Sequence, residues 1–203
     1  MSAGGLVLAG GQGRRMGQVD KALTNLCGKP ILCYILEALR DQVTSVAISA
    51  NGDITRFKRY GLPVVTDGQF AEHGPLAGIL AGLEWAATTK TEVLLSVPCD
   101  TPFLPKDLVP RLLPAPSCAA SAGKTHHVIA LWPVEIRGRL RQFLADGRSR
   151  RVRDFSALIG QRVVPFENSP KDWFLNINTL NDLEKAKMAV SADGCARGNL
   201  ASE

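Results

Sequence analysis

The chain has 203 residues, of which 45% are apolar and 21% charged. That is enough to bury a core and too mixed for a disordered or low-complexity chain. The formal net charge of +5 favours anionic partners such as nucleotides, phosphorylated cofactors or nucleic acid, and no apolar run approaches the roughly 18 residues of a membrane span.

The predicted elements alternate between strands and helices through the first half. Gly5–Leu8 reads as a buried strand that runs through Ala9 into Gly10 and Gly11; it has no basic lead-in and does not read as a signal peptide. Pro30 opens a helix whose apolar positions Ile31, Leu32, Ile35, Leu36 and Leu39 follow helical spacing. Ser45–Ala50 is the second strand. Asp53 caps a short helix, and Pro63–Val65 is the third strand. Gly74-Pro75 starts a helix to about Ala87, and Val93–Val97 is an apolar fourth strand ended by Pro98. Strands alternating with crossover helices imply an α/β fold in three layers, α/β/α, around a mostly parallel sheet of Rossmann-like type.

The second half is less regular. Ser117–Ala122 and His127–Leu131 read as strands around a Gly-Lys turn, Ile136–Leu144 as a helix, and Arg162–Val164 and Phe174–Asn176 as short strands. Thr179 with Asp182 forms a capping box that opens a last helix to about Ala189. The expected organisation is one domain over 1–190 and a flexible tail over 191–203. Five cysteines (Cys27, Cys33, Cys99, Cys118 and Cys195) include no C-x-x-C. They point away from disulfide or zinc scaffolds and towards a reduced, cytoplasmic protein.

In such sheets ligands bind outside the carboxyl ends of the strands. The first strand runs into Leu8-Ala9-Gly10-Gly11-Gln12-Gly13-Arg14-Arg15-Met16-Gly17, followed by Asp20-Lys21. Glycines let backbone N–H groups close on a phosphate, and Arg14, Arg15 and Lys21 add charge. A plain strand-to-helix turn is the competing reading. The dinucleotide fingerprint fails because Met16 stands where a glycine is needed. Gly123-Lys124-Thr125 is not a P-loop, because Cys118 occupies the place of its first glycine. Asp100 follows the fourth strand, where a carboxylate suits Mg²⁺, although a turn aspartate before Thr-Pro reads equally well. Seven arginines (Arg137, Arg139, Arg141, Arg148, Arg150, Arg151 and Arg153) suit an anionic ligand or a solvated helix face. His126 and His127 have no partner at zinc spacing.

The string LAGGQGRRMGQVDKAL resembles the signature of the Rossmann-like nucleotidyltransferases, and more closely the MobA family of molybdenum cofactor guanylyltransferases. The resemblance continues through CGKPIL, GPLAGILAGL, VPCDTPFLP, HVIALWP, GRSRRVRDF and FLNINTLNDL, in order from Leu6 to Leu183. It implies transfer of GMP from GTP to the phosphate of molybdenum-molybdopterin, with Mg²⁺ as cofactor and pyrophosphate released. It implies catalytic roles for Arg15, Lys21 and Asp100, with Asp100 holding the metal. It implies nucleotide binding by Leu8, Ala9, Gly10, Gly11, Gly13, Lys21, Asn51, Asp67 and Asp100. The pterin is expected near Arg148, Arg150, Arg151, Asn176 and Asn178. Ser49-Ala50-Asn51 departs from the Asn-Ala-Asn of many relatives. Leu8-Ala9-Gly10-Gly11, and Asp20 before Lys21, favour GTP over the CTP of the related cytidylyltransferases.

The expected partners are GTP, molybdopterin, and the proteins that make molybdopterin or accept the finished cofactor. The enzyme is expected to be a monomer, with no nucleic-acid or membrane partner. The alternatives are a cytidylyltransferase for the same cofactor and a sugar-phosphate nucleotidyltransferase. A nucleic-acid binder is disfavoured, because aromatics are only 6% and do not interleave with the arginines.

Overall fold

The computed structural model describes residues 1–10, 20–147, 149–167 and 173–198, with side chains to Ser191. Of the expected site residues, Gly11, Gly13, Arg15 and Arg148 lie outside the described residues.

A seven-stranded sheet forms the middle layer. Its strands are β1 (Ala3–Leu8), β4 (Ser45–Ser49), β5 (Val64–Val65), β6 (Val93–Pro98), β7 (Ser117–Ser121), β8 (Lys124–Pro133) and β9 (Arg162–Pro165). Strands β2 (Asn25–Leu26) and β3 (Lys29–Pro30) make a separate small ribbon. The order across the main sheet is β5-β4-β1-β6-β8-β7-β9. Only β8 runs against the rest, so the sheet is mostly parallel.

The helices are α1 (Ile31–Leu39), α2 (Pro75–Thr88), α3 (Leu108–Leu112), α4 (Arg137–Ala145), α5 (Val152–Leu158) and α6 (Leu180–Gly198). Strand periodicity sorts the core between the two faces. Val7, Ile48, Leu95 and Leu131 face α1, α3 and α6. Their neighbours Leu6, Ala47, Leu94 and Ala130 face α2, α4 and α5. The three layers follow from that alternation.

Helix α2 packs unusually close to the sheet. A Cβ at Gly78 would stand 2.5 Å from Ser49 Oγ, and one at Gly82 would stand 2.4 Å from Leu6 Cδ2. The two glycines are one helical turn apart and face the strands together.

Four observations revise the sequence reading. The β7–β8 hairpin turns on Ala122 (φ 47°) and Gly123 (φ 71°), one step before the expected Gly-Lys. Helix α5 was not expected, because its seven residues are too few for a clear period. Phe174–Asn176 is not a strand: Phe174 is left-handed at φ 70°, which breaks an extended run. Its backbone instead hangs on the loop after β6, through Phe174 N–H to Phe103 O at 3.2 Å and Ile177 N–H to Asp100 O at 2.8 Å. Finally, α6 continues to Gly198, beyond the end expected near Ala189. That extension holds no proline, and Gly194 is its only strong helix opponent before the terminal Gly198.

Among the described residues, no helix is long and apolar enough to cross a membrane.

Candidate active site

The chain runs from β1 out to β4 and β5, then crosses back to β6 on the other side of β1. Helix α1 covers one face on the way out and α2 the opposite face on the way back. Such a reversal opens a crevice at the carboxyl ends of the central strands. Ladder hydrogen bonds continue past the strand ends and level the loops: Ala9 N–H to Ser49 O, Ala50 N–H to Val65 O, and Cys99 N–H to Leu8 O.

A cavity of about 330 Å³ occupies this crevice. Leu8, Gly10, Lys21, Asn51, Asp67 and Asp100, all expected on the nucleotide, line it together. Ala9 is buried beside them at the end of β1. Sequence reasoning missed Ala71, Gly74 before α2, and the start of α2, whose Pro75 and Gly78 complete a wall. The GPLAG block was the available signal for that wall.

Lys21 is carried on a short 3-10 turn, Lys21–Leu23, capped by the Asp20 carboxylate. Its Nζ lies 2.9 Å from Asp100 Oδ2 and also donates to Asn178 Oδ1. Both partners of the ion pair are mostly buried, with side-chain exposures of 19% and 13%. The other carboxylate oxygen, Asp100 Oδ1, is buried and has no hydrogen-bond partner among the described residues.

On the opposite wall Asn51 and Asp67 are paired twice. Asn51 Nδ2 donates to Asp67 Oδ2 at 2.7 Å, and Asp67 N–H donates to Asn51 Oδ1 at 3.1 Å. Ser49, the departure noted in the sequence, also lines the cavity and donates its hydroxyl to Asp67 Oδ1 at 3.4 Å.

Cys99 lines the cavity beside Asp100. Burial, reinforced by the Asp100 charge, pushes its thiol up to about 12. It therefore stays protonated at neutral pH and is a poor nucleophile.

A second, wider cavity of about 790 Å³ adjoins the first. Pro75, Pro98, Val128 and Asn176 line both. Arg150 and Arg151 line the second cavity, with Arg153, His126 and His127. Asn176 Oδ1 is buried without a partner among the described residues. Asn178, expected on the pterin, accepts from Lys21 Nζ.

The arginine cluster divides in two. Arg137, Arg139 and Arg141 sit on α4 and bond to Val134 O, Leu158 O and the Glu84 carboxylate. They tie the helical layer together, while Arg150, Arg151 and Arg153 line the second cavity.

A family model described as the MobA-like NTP transferase domain matches residues 5–162. The chain belongs to this family. As a member it is an enzyme, a nucleotidyltransferase. A molybdenum cofactor guanylyltransferase from Acidiphilium cryptum (strain JF-5) is 50% identical over 182 residues, covering 90% of this chain and 92% of its own length. One from Mesorhizobium japonicum is 47% identical over 193 residues, covering 90% and 93%. The solved structure of molybdopterin-guanine dinucleotide biosynthesis protein A from Archaeoglobus fulgidus superposes with a TM-score of 0.69. It covers 93% of this chain and 99% of its own, and at 22% identity it bears on the fold alone.

Proposed function

We propose that this member of the MobA-like family transfers GMP from GTP to the phosphate of molybdenum-molybdopterin, forming the guanine dinucleotide cofactor and pyrophosphate. The observation that carries this reading is that two cavities, the first lined by the Lys21–Asp100 pair, share the residues Pro75, Pro98, Val128 and Asn176. Two substrates must meet at one phosphorus, and a nucleotide-sized pocket beside an arginine-lined one suits that need. The relatives named above, guanylyltransferases at 47% and 50% identity, favour GTP over the cytidine and sugar-phosphate alternatives.

In this reading the N-terminal half serves the nucleotide and the C-terminal half the pterin. Lys21 grips the triphosphate as a point charge, and Arg15 of the glycine-rich sequence adds a planar guanidinium for the same phosphates. Asn51 and Asp67, already locked to each other, present a preformed polar wall to the nucleoside. Leu8, Ala9 and Gly10, with Gly11 and Gly13 of the loop, let the backbone close on the nucleotide. Arg148, Arg150, Arg151 and Asn176 serve the anionic pterin, and Asn178 holds Lys21 at the junction.

The orphaned Asp100 Oδ1 fits a hard cation, and among the described residues no group of three His, Cys, Asp or Glu side chains competes for one. A single carboxylate, completed by phosphate oxygens and water, is a usual Mg²⁺ arrangement. When bound there, Mg²⁺ neutralises charge on the phosphates as pyrophosphate leaves. The pterin phosphate oxygen bonds to the α-phosphorus of GTP while the α–β bridging bond breaks. Positioning and charge carry such a transfer, and the protonated Cys99 fits a route without a covalent enzyme intermediate. We place the reaction in the cytoplasm, where nucleoside triphosphates are available. The reaction also calls for proteins that supply molybdopterin and accept the product.

The test mixes the protein, Mg²⁺ and molybdenum-molybdopterin with GTP, CTP, ATP or UTP in turn and separates the products chromatographically. A pterin dinucleotide with GTP alone is the expected result. A dinucleotide made preferentially with CTP, or none with any nucleotide, overturns the reading.

A further inference from the structure

Arg56 lines neither cavity, yet it touches the supports of two residues that do. It belongs to the 3-10 helix Ile54–Tyr60 that follows β4. Its Nε donates to Asp20 Oδ2 at 2.6 Å. One terminal N–H donates to the Asn51 carbonyl at 3.3 Å and also to the Asp53 carbonyl. The guanidinium lies 4.5 Å from the ring centroid of Phe57, which is fully buried. That packing holds the planar fork in one orientation.

Asp20 divides its carboxylate between two tasks. Oδ1 accepts from Ala22 N–H at 3.0 Å and caps the turn that carries Lys21, while Oδ2 takes Arg56. Thr24 closes the far end of the turn, with its hydroxyl on Asp20 O at 3.2 Å. The turn is thus a small rigid unit, and Arg56 bolts that unit to the loop bearing Asn51. Asn51 in turn is fixed to Asp67. The loops after β1, β4 and β5 are joined in one chain of hydrogen bonds.

We propose that Arg56 is a positioning residue. Acting through Asp20, it sets the place of Lys21 relative to Asn51, so that the two ends of one nucleotide are gripped in register. This rests on the nucleotidyltransferase reading of Lys21 and Asn51. Stability is a poor account of the same contacts. The Arg56–Asp20 pair is partly exposed, at 24% and 26%, and such pairs add little to folding. The 3-10 helix already has its own anchors in buried Phe57 and the Asp53 cap.

The test measures GTP binding by calorimetry with Mg²⁺, steady-state kinetics and thermal unfolding on the full chain. The variants are Arg56→Ala, Arg56→Lys, Asp20→Asn, Lys21→Ala and the double change Lys21→Ala with Arg56→Ala. Arg56→Ala is expected to lower kcat/KM for GTP by about tenfold, since small misplacements of a gripping group are costly. Arg56→Lys should recover part of the loss, because an ammonium reaches Asp20 or the carbonyls but not both. Asp20→Asn keeps a good cap while removing the charge, so it should reproduce the loss even if Arg56→Ala folds poorly. In the Lys21→Ala background, Arg56→Ala should cost less than about twofold, because the group it positions is gone.

Equal losses with and without Lys21, or normal kinetics for Arg56→Ala and Asp20→Asn, overturn the proposal. If wild-type protein fails to bind GTP, the nucleotide reading falls and takes this one with it. If wild type binds GTP and Lys21→Ala weakens it while Arg56→Ala does not, only the positioning role is lost.

Discussion

Two side-chain pairs divide the labour of the cavity, and they should fail in different ways. Asp100 spends one oxygen on Lys21 and keeps the other free of protein donors. Asp100→Asn preserves the shape but removes the charge that would hold Mg²⁺. It is expected to lower kcat by about 10²-fold or more with native circular dichroism retained, as losing one strong electrostatic contact at a reacting phosphate does. Turnover like wild type would sink the metal assignment. Asp67 spends its carboxylate on Asn51 and Ser49 instead. Asp67→Ala should therefore raise KM for GTP by about tenfold with a smaller change in kcat, the signature of lost uniform binding. The positions of Lys21, Asn51, Asp67 and Asp100 were legible in the sequence through the family resemblance, and each follows a strand or the loop after one, where ligands bind. Their partners were not. Lys21 and Asn178 are 157 residues apart, and Arg56 and Asp20 are 36 apart. No local spacing reports such pairs; only the folded loops bring them together.

At the scale of elements, the approach of α2 to β1 and β4 shapes the cavity wall. Alanine is a better helix former than glycine by roughly 1 kcal/mol, so propensity alone would favour Gly→Ala in α2. Packing should reverse the sign. At Gly82 the new methyl meets fully buried Leu6, and overpacking of this kind costs about 1–3 kcal/mol. Gly82→Ala is expected to lower the unfolding midpoint while leaving KM for GTP unchanged, since neither residue lines the cavity. At Gly78 the methyl meets Ser49 Oγ and Leu8 Cδ2, which do line it. Gly78→Ala should lower stability and raise KM together. A Gly78 variant with wild-type kinetics would mean that the wall yields. The same packing explains what the sequence displayed. Strands β1, β4, β5 and β6 and helices α1 and α2 were readable within a few residues, because parallel strands stand out as short apolar runs, α1 carries helical spacing and Gly74-Pro75 marks the start of α2. The segment around Phe174 was not, because its backbone bonds go to the Asp100–Phe103 loop rather than to a neighbouring strand.

Across the whole molecule, ionisable groups set a stability plateau with two different edges. Asp53, Asp154 and Asp182 each have a carboxyl held below its ordinary value of 3.8, chiefly by the hydroxyls of Thr55, Ser149 and Thr179. A depressed folded value means that the unfolded chain binds protons more readily through that window. Their contribution is present above pH 3.8 and is lost as pH falls through the lower folded values. Asp182→Asn should flatten the acid limb of the unfolding curve. The basic limb has the opposite sign. Burial raises the Cys118 thiol from 9.0 to about 11. Between those values the unfolded chain releases a proton that the folded chain retains, so stability falls as pH rises. Cys118 lies within the sheet, packed among Leu6, Leu94, Ala130 and Trp132 on the α2 face, where desolvation is the cause that acts on its thiolate among the described residues. Cys118→Ala is expected to lower the midpoint somewhat at neutral pH, because a sulfur-sized gap is left. Its midpoint should then decline less steeply than wild type between pH 9 and 11. The slope is the readout, since the gap shifts the level equally at every pH. Parallel wild-type and variant curves across that range would place the basic edge on other groups.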